Sequence, residues 1–341
     1  MGSDYTLRPV RVDDFDALVA LGTASADTGR IRVAPRYLRN PVEVWAALKP
    51  ELQWVVAEAE DGLIGGGMVV LGETEVEGER YPSATLGGLM VHPAHRRRGI
   101  ARALTEWRLE RAGPDAVIAA AIQTGNEGSF ANAKRWATQI FGTLTVPVFR
   151  AGGEPSPARG LEIREPRDDE WDAAAAGLAE FERGWSLRNP ETGASLRERS
   201  AGAVSGDRLQ RYQVAVGAGG VVGGFELFEQ GRIQSVMVEH MPVSMRLVTR
   251  LLRMMPPDGE IRQASISRIW YAAGREDVAR ALWAYARAIA AESGNAIGTQ
   301  YDARGPLRTL VPLRPWTPKG QVSVAVRSPV RLSEDRILSP P

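Results

Sequence analysis

Cysteine is absent from the 341 residues. That excludes disulfides, thiolate nucleophiles and thiolate metal sites together. Lysine is nearly absent: Lys49, Lys134 and Lys319 are the only ones, so arginine supplies most of the 42 basic residues. With the abundance of alanine and glycine, that bias reads as a coding-composition effect and not as a binding signature. Histidine occurs three times, at His92, His95 and His240, and none stands with acids at metal-ligand spacing, so no metal is expected. No apolar run is long enough to span a bilayer and no secretory pattern opens the chain, so a cytoplasmic location without membrane contact is expected. An excess of one charge is lacking as well: 42 basic against 41 acidic residues leave a net charge of +1, which disfavours an extended nucleic-acid footprint. What remains is ordinary globular composition, 44% hydrophobic and 24% charged, at a length that suggests two domains.

The stretch that organises the chain runs over residues 84–112. An apolar run, 84–91, ends at His92-Pro93, and a basic loop, Arg96-Arg97-Arg98-Gly99, follows. A helix then begins, with Ile100, Ala103, Leu104, Trp107 and Ala112 as its apolar positions. In such a strand–loop–helix unit the loop N–H groups and the first helical turn face one way and form an anion site. Gly99 permits close backbone approach, Ala101 leaves space at the helix start, and the arginines add charge suited to a diphosphate.

Arg96-x-x-Gly99-x-Ala101, introduced by Val91-His92-Pro93, resembles the acyl-CoA loop of the GNAT superfamily of N-acyltransferases. The resemblance implies acetyl-CoA as co-substrate. It places the diphosphate on Arg96, Arg97, Arg98, Gly99, Ile100 and Ala101, and the acyl-pantetheine arm on the backbone of Leu89, Met90 and Val91. The N–H of Met90 or Val91 would then polarise the acyl carbonyl. In the family an Asn follows the next strand, which Asn126 matches. A tyrosine acid usually comes later on the following helix, but Ala133 stands seven residues after Asn126, and Ser129 or a water is left as the replacement. The base is Glu127 or Glu58; Glu127 also suits a plain helix-start acid. His92 and His95 occupy ordinary loop positions.

The fold class implied is α/β (α+β), two tandem GNAT-like domains, each a mixed, mostly antiparallel sheet flanked by helices. In order, residues 5–10 read as a strand, and Asp13-Asp14 precede a helix bearing Phe15, Leu18, Val19 and Leu21. Residues 23–40 read as irregular, with Arg30, Arg32, Arg36, Tyr37 and Arg39 able to meet substrate or simply solvent. A short helix at 42–48 precedes strands at 52–59 and 63–71. Gly65-Gly66-Gly67 mark either a bulge or room for a ligand. A strand at 116–122, a helix at 130–139 and a last strand pair within 141–150 close the first domain, 1–150. Residues 151–160 form a Gly- and Pro-rich linker.

After the linker the pattern restarts over 161–341. A strand at 161–165 and a helix bearing Trp171, Ala175 and Leu178 parallel the start of the chain. A hairpin at 212–228, a strand at 233–238, a helix at 241–255, a strand at 261–271 and a helix at 276–293 follow. Ala279-Arg280-Ala281-Leu282 aligns with Ala101-Arg102-Ala103-Leu104, which puts Asp277 at the Gly99 position and Glu276 at the Arg98 position. Two acids there repel a phosphate, so this half reads as a degenerate domain serving support, substrate contact or homo-oligomer formation. The Pro-rich tail from 312 offers Trp316 as an anchor and a strand at 322–326. The arrangement resembles tandem GNAT proteins such as the mycothiol synthases and the aminoglycoside-acetylating proteins of actinobacteria. Three functions follow: N-acetyl transfer to a small-molecule primary amine, acyl transfer from aminoacyl-tRNA, or a non-catalytic acyl-CoA sensor.

Overall fold

The computed structural model describes residues 4–25, 32–155, 160–240, 243, 256, 258–311, 313–315 and 317–340. The helix anticipated at 241–255, except Val243, falls outside them, as do Arg30 and Trp316. In the first half the elements are β1 (Thr6–Pro9), α1 (Phe15–Ala24), β2 (Arg32–Tyr37), α2 (Pro41–Leu48), β3 (Leu52–Ala59), β4 (Gly62–Val76), β5 (Glu79–Val91), α3 (Ile100–Ala112), β6 (Val117–Gln123), α4 (Glu127–Ala133) and β7 (Gln139–Arg150). The second half holds β8 (Glu162–Arg164), α5 (Trp171–Phe181), α6 (Gly193–Ala201), β9 (Ala203–Val204), β10 (Asp207–Arg208), β11 (Gln210–Gly217), β12 (Gly220–Phe228), β13 (Gln234–His240), β14 (Glu260–Ile261), β15 (Gln263–Tyr271), α7 (Glu276–Ala290), β16 (Ala296–Thr299), β17 (Tyr301–Asp302), α8 (Leu307–Leu310) and β18 (Lys319–Arg327).

Local chemistry explains where these elements begin. Asn40 caps α2 by accepting from the Val42 N–H at 3.0 Å, with Pro41 at the first helical position. Thr192 and Ser195 cap α6 reciprocally. Glu77 and Gly78 both take positive φ, the backbone of a tight hairpin turn, so β4 and β5 extend through the polar residues 73–81. On α7 the spacing of Val278, Leu282, Ala286 and Ile289 buries one face against β12 and β15.

Strand order in the main sheet is β1-β3-β4-β5-β6-β18-β7-β16-β15-β12-β11-β8, with β17 also on β7. This one sheet serves both halves, and β7 is the seam. Its start pairs with β18 and its end with β16. The strand pair expected at 141–150 is therefore a single strand, whose neighbour comes from 319–327. Val324, Ala325 and Val326 of β18 are fully buried between β6 and β7.

Residues 23–40, expected to be irregular, contain β2, which pairs with β13 of the second half. The edge of β13 gives β2 hydrogen-bond partners that no neighbour in sequence offers. The helix expected at 130–139 starts earlier, at Glu127, and ends at Ala133. Among the described residues no helix is long and apolar enough to cross a membrane.

Candidate functional site

Strands β5 and β6 run parallel but pair only at Ser83 with Val117, Ala84 with Ile118 and Thr85 with Ala119. Beyond Thr85 they separate. On its other side β5 stays on β4 with a register shift: Gly66 faces Met90 and Met68 faces Gly87, so Gly88 and Leu89 together oppose Gly67. This is a β-bulge, which bends its strand and sharpens the local twist. Gly88 has φ +58, and a Cβ there would lie 2.4 Å from the Met68 Cε. The positive φ calls for glycine, and a side chain would also displace the end of Met68. The result is a wedge between the strands. One wall is the backbone edge of residues 86–91, which an extended amide-bearing ligand can join as an added strand. Leu89, Met90 and Val91 lie along this stretch; the His92 N–H donates to the Ile64 carbonyl on β4, so the Met90 N–H two residues earlier also faces β4 and that of Val91 faces the wedge.

The Gly65–Gly67 run resolves without a ligand. A Cβ on Gly65 would meet Ile100 Cγ2 at 2.9 Å, and one on Gly67 would meet the Arg108 guanidinium carbon at 3.2 Å. The bare face of β4 is filled by α3.

At the mouth of the wedge, Arg97 at φ +65 and Gly99 at φ +82 turn the chain into α3. Gly99 is the N-cap, and no side chain caps the helix. The first intrahelical bond at this end runs from Ala103 N to Gly99 O, at 3.0 Å. The N–H groups of Ile100, Ala101 and Arg102 thus have no partner within the helix. Ile100 is 1% exposed, backbone included, so Ala101 and Arg102 are the open positions of this turn. Arg97 is exposed. Arg96 turns back to donate to the Val91 carbonyl at 3.3 Å, and Arg98 is paired with Asp4 at 2.6 Å and with His95 Nδ1 at 2.9 Å. His95 reaches Asp61 at 3.2 Å, and His92 Nδ1 accepts from the Ala94 N–H, so both imidazoles brace the loop.

The opposite wall is β6 with α4 at its end. Asn126 caps α4 through Oδ1, which accepts from the Ser129 N–H at 3.0 Å. Glu127 is the first residue of the helix and exposed; Ser129 is half-buried. The structure thus puts Asn126, Glu127 and Ser129 together where β6 ends. Glu58 stands apart, on β3 opposite Thr6. Both its carboxylate oxygens accept from Arg8 at 2.7 Å, and those hydrogen bonds hold its pKa below the usual range. A committed carboxylate of that kind is a poor base.

Sequence reasoning missed Arg108. It is 2% exposed and lies under the bulge, where it donates to the carbonyls of Leu104 at 3.0 Å and Gly87 at 3.2 Å. No carboxylate pairs with it among the described residues, and burial pulls its pKa down to about 10, so it stays charged at neutral pH. The signal was present: Arg108 stands four residues after Leu104, on the stripe of α3 that faces the sheet. Thr105 and Asn132 line a pocket of about 520 Å³ between α3 and α4.

The second half repeats the device and then fills it. Gly224 faces Trp270 and Glu226 faces Ser267, so Arg268 and Ile269 bulge opposite Phe225. Here the residue in the left-handed region, at φ +49, is Arg268. Its guanidinium is held by Glu191 at 2.6 Å and Glu226 at 3.3 Å, and Arg199 binds the same two acids. Glu276 and Asp277 open α7, with Asp277 paired to Arg275 at 2.9 Å. An ion-pair cluster occupies the position that the first half leaves bare at Gly88.

Comparison with known proteins agrees with this geometry. Residues 24–135 match the Acetyltransferase (GNAT) family. Saccharomyces cerevisiae N-myristoyltransferase with bound myristoyl-CoA superposes with a TM-score of 0.64 at 11% identity, over 96% of this chain and 84% of that one. A GCN5-related N-acetyltransferase from Sphaerobacter thermophilus gives 0.56 at 14% identity, over 98% of this chain and 99% of that one. Another, from Kribbella flavida, gives 0.51 at 16% identity, over 94% and 70%. No curated protein sequence matches the chain. Residues 24–135 thus match the Acetyltransferase (GNAT) family, and the fold that runs through both halves is the one these GNAT-fold structures share.

Proposed function

We propose that the protein transfers an acetyl group from acetyl-CoA, drawn from the cytoplasm, to a primary amine of a small molecule by direct attack in a ternary complex. The observation that carries this reading is the wedge at Gly88, with its strandless edge over residues 86–91 and the uncapped start of α3 at its mouth. The amine nitrogen attacks the thioester carbon, a C–N bond forms, and the C–S bond breaks to release CoA thiolate. No covalent enzyme intermediate is needed, which suits a chain without cysteine.

In this reading the diphosphate rests on the backbone of residues 96–101, and the pantetheine arm pairs with Leu89, Met90 and Val91. Of the two donors the sequence offered, the N–H of Val91 is the one on the wedge side, and it stabilises the developing oxyanion. Glu127 takes the proton of the ammonium, and Ser129 or a water returns one to the thiolate. Asn126 sets the start of α4 beside the arm. The first half is the catalytic domain over 1–150, and the second, from 161, supports it and contacts the acceptor.

Acyl length is the open choice. Met90 and Met68 pack on the apolar cluster of Leu18, Val42, Trp54 and Val56, on the face of the sheet away from α3. That filled surface favours a short acyl group. Calorimetric titration with acetyl-CoA and with myristoyl-CoA tests the donor. Thiol release with an amine panel (an aminosugar, a polyamine, an amino-acid amide) tests the reaction. Tighter binding of myristoyl-CoA refutes the acetyl assignment. Binding without turnover points to a sensor, and no binding of either thioester sinks the acyl-CoA reading.

A further inference from the structure

A guanidinium buried without a carboxylate is expensive, and a hydrocarbon chain of the same length would fill the space between α3 and β4 more cheaply. The partners of Arg108 suggest why it is there. It donates to the Gly87 carbonyl at 3.2 Å, reaches the Met68 carbonyl at 3.5 Å, and bonds the Thr105 hydroxyl at 3.0 Å. Gly87 and Met68 face each other across β4 and β5 at the last regular position before the bulge. A bulge interrupts the ladder at this point, and an external donor can hold carbonyls that the ladder serves poorly.

The Thr105 hydroxyl donates to the Ala101 carbonyl at 2.8 Å and accepts from Asn132 Nδ2 at 2.9 Å. One hydrogen-bonded chain therefore joins the first turn of α3, the helix α4 and the bulge. Those are the three sides of the wedge. Gly67 leaves the room that the guanidinium needs, since a Cβ there would sit 3.2 Å from its central carbon.

We propose that Arg108 is a positioning residue for acyl transfer: its guanidinium clamps the carbonyls of the last regular pair before the Gly88 bulge and so aims the outward N–H groups of the strand beyond it, that of Val91 among them, into the wedge. The assignment rests on the acyl-CoA reading above. Arg108 touches neither reacting group; it acts through the backbone of β5. The charge matters as well as the shape. A lysine in its place would be pushed toward neutrality by burial, because desolvation disfavours the charged form.

The test uses the full chain with Arg108→Met and Arg108→Lys. Three quantities are read: acetyl-CoA affinity by calorimetry, thiol release with the best amine of the panel, and amide hydrogen exchange resolved to residues 86–92. For Arg108→Met we expect a melting temperature no lower than wild type and acetyl-CoA affinity within threefold. Turnover falls at least tenfold, and exchange at residues 88–91 quickens at least tenfold while β11 and β12 are unchanged. Arg108→Lys restores part of the turnover at pH 6.5 and loses it by pH 9, a pH profile that a packing role cannot produce. Unchanged exchange at 88–91 overturns the proposal. So does a loss of turnover matched by equal losses of affinity and melting temperature, which marks a merely structural residue. Failure of the wild type to bind any acyl-CoA sinks the parent reading instead, and the exchange data then still report whether Arg108 clamps the bulge.

Discussion

If the loop before α3 holds the diphosphate as proposed, Gly99 separates two contributions to its binding that are usually mixed. It caps α3 at φ +82, and a Cβ built on it meets nothing within 4 Å. Gly99→Ala therefore adds no clash and brings only the left-handed backbone penalty, about 1 kcal/mol. That penalty lowers the population of the competent loop, so acetyl-CoA affinity drops by roughly five- to tenfold at most. Gly99→Asp brings the same backbone penalty plus a negative charge beside the diphosphate. At a separation of about 5 Å, and with water-like screening, two phosphate charges repel it by about 2 kcal/mol, a further factor of roughly thirty. The assay is calorimetry with acetyl-CoA in 50 mM and 500 mM salt. The gap between the Asp and Ala variants should narrow in high salt, because exposed charges are screened, while the Ala penalty should not move. Equal affinities for the two variants, or a gap indifferent to salt, would refute a diphosphate at this loop. In the second half the helix N-cap is Arg275 and not, as the alignment gave it, Asp277, which stands in the first turn of α7 and is ion-paired to Arg275.

Three more outcomes are expected. Burial pushes the Glu182 carboxyl up to about 7 from an ordinary 4.5, so folding opposes its ionisation: the penalty is absent below pH 4.5, grows as pH rises to 7 and is constant above. Glu182→Gln should therefore stabilise the protein by about 1–3 kcal/mol at pH 8 and by little at pH 4.5 in urea titrations; equal gains at both pH values would contradict the assignment. Gly88→Ala meets both a positive φ and the Met68 side chain, and should lower stability by about 1–3 kcal/mol and turnover more than tenfold, checked by thermal denaturation and thiol release. Residues 1–150 expressed alone lack β18 between β6 and β7, and should show no cooperative urea transition; a sharp two-state transition for that fragment would be the contrary result.

The local parts of this protein could be read from residue order. Apolar strand, basic loop, glycine and amphipathic helix over 84–112 are set by interactions within a few residues, and α3 begins at Ile100 as the pattern indicated. The repeat was legible for the same reason, since each half opens with a strand and then a helix. Asn126 and Ser129 met through a cap of three residues' span, again a local matter.

Tertiary structure decided what depends on partners far along the chain. Strand periodicity says that β18 is a strand, but its neighbours are chosen by which edge remains open, here between β6 and β7. β2 existed only as irregular chain until β13, some 200 residues on, offered it hydrogen bonds. Gly65-Gly66-Gly67 allowed a bulge, but a bulge is a mismatch between two strands, and only their pairing put it at Gly88. Arg108 looked like one more arginine on a charged helix; only the carbonyls of β4 and β5 above it make a buried cation tenable. Residue order determined most of the helices and strands and the basic loop at 96–99, because those choices are settled by backbone sterics and short-range hydrogen bonds. The wedge, its clamp and the blocked counterpart in the second half were settled by packing, because strand pairing and charge burial are long-range conditions that no local stretch can satisfy on its own.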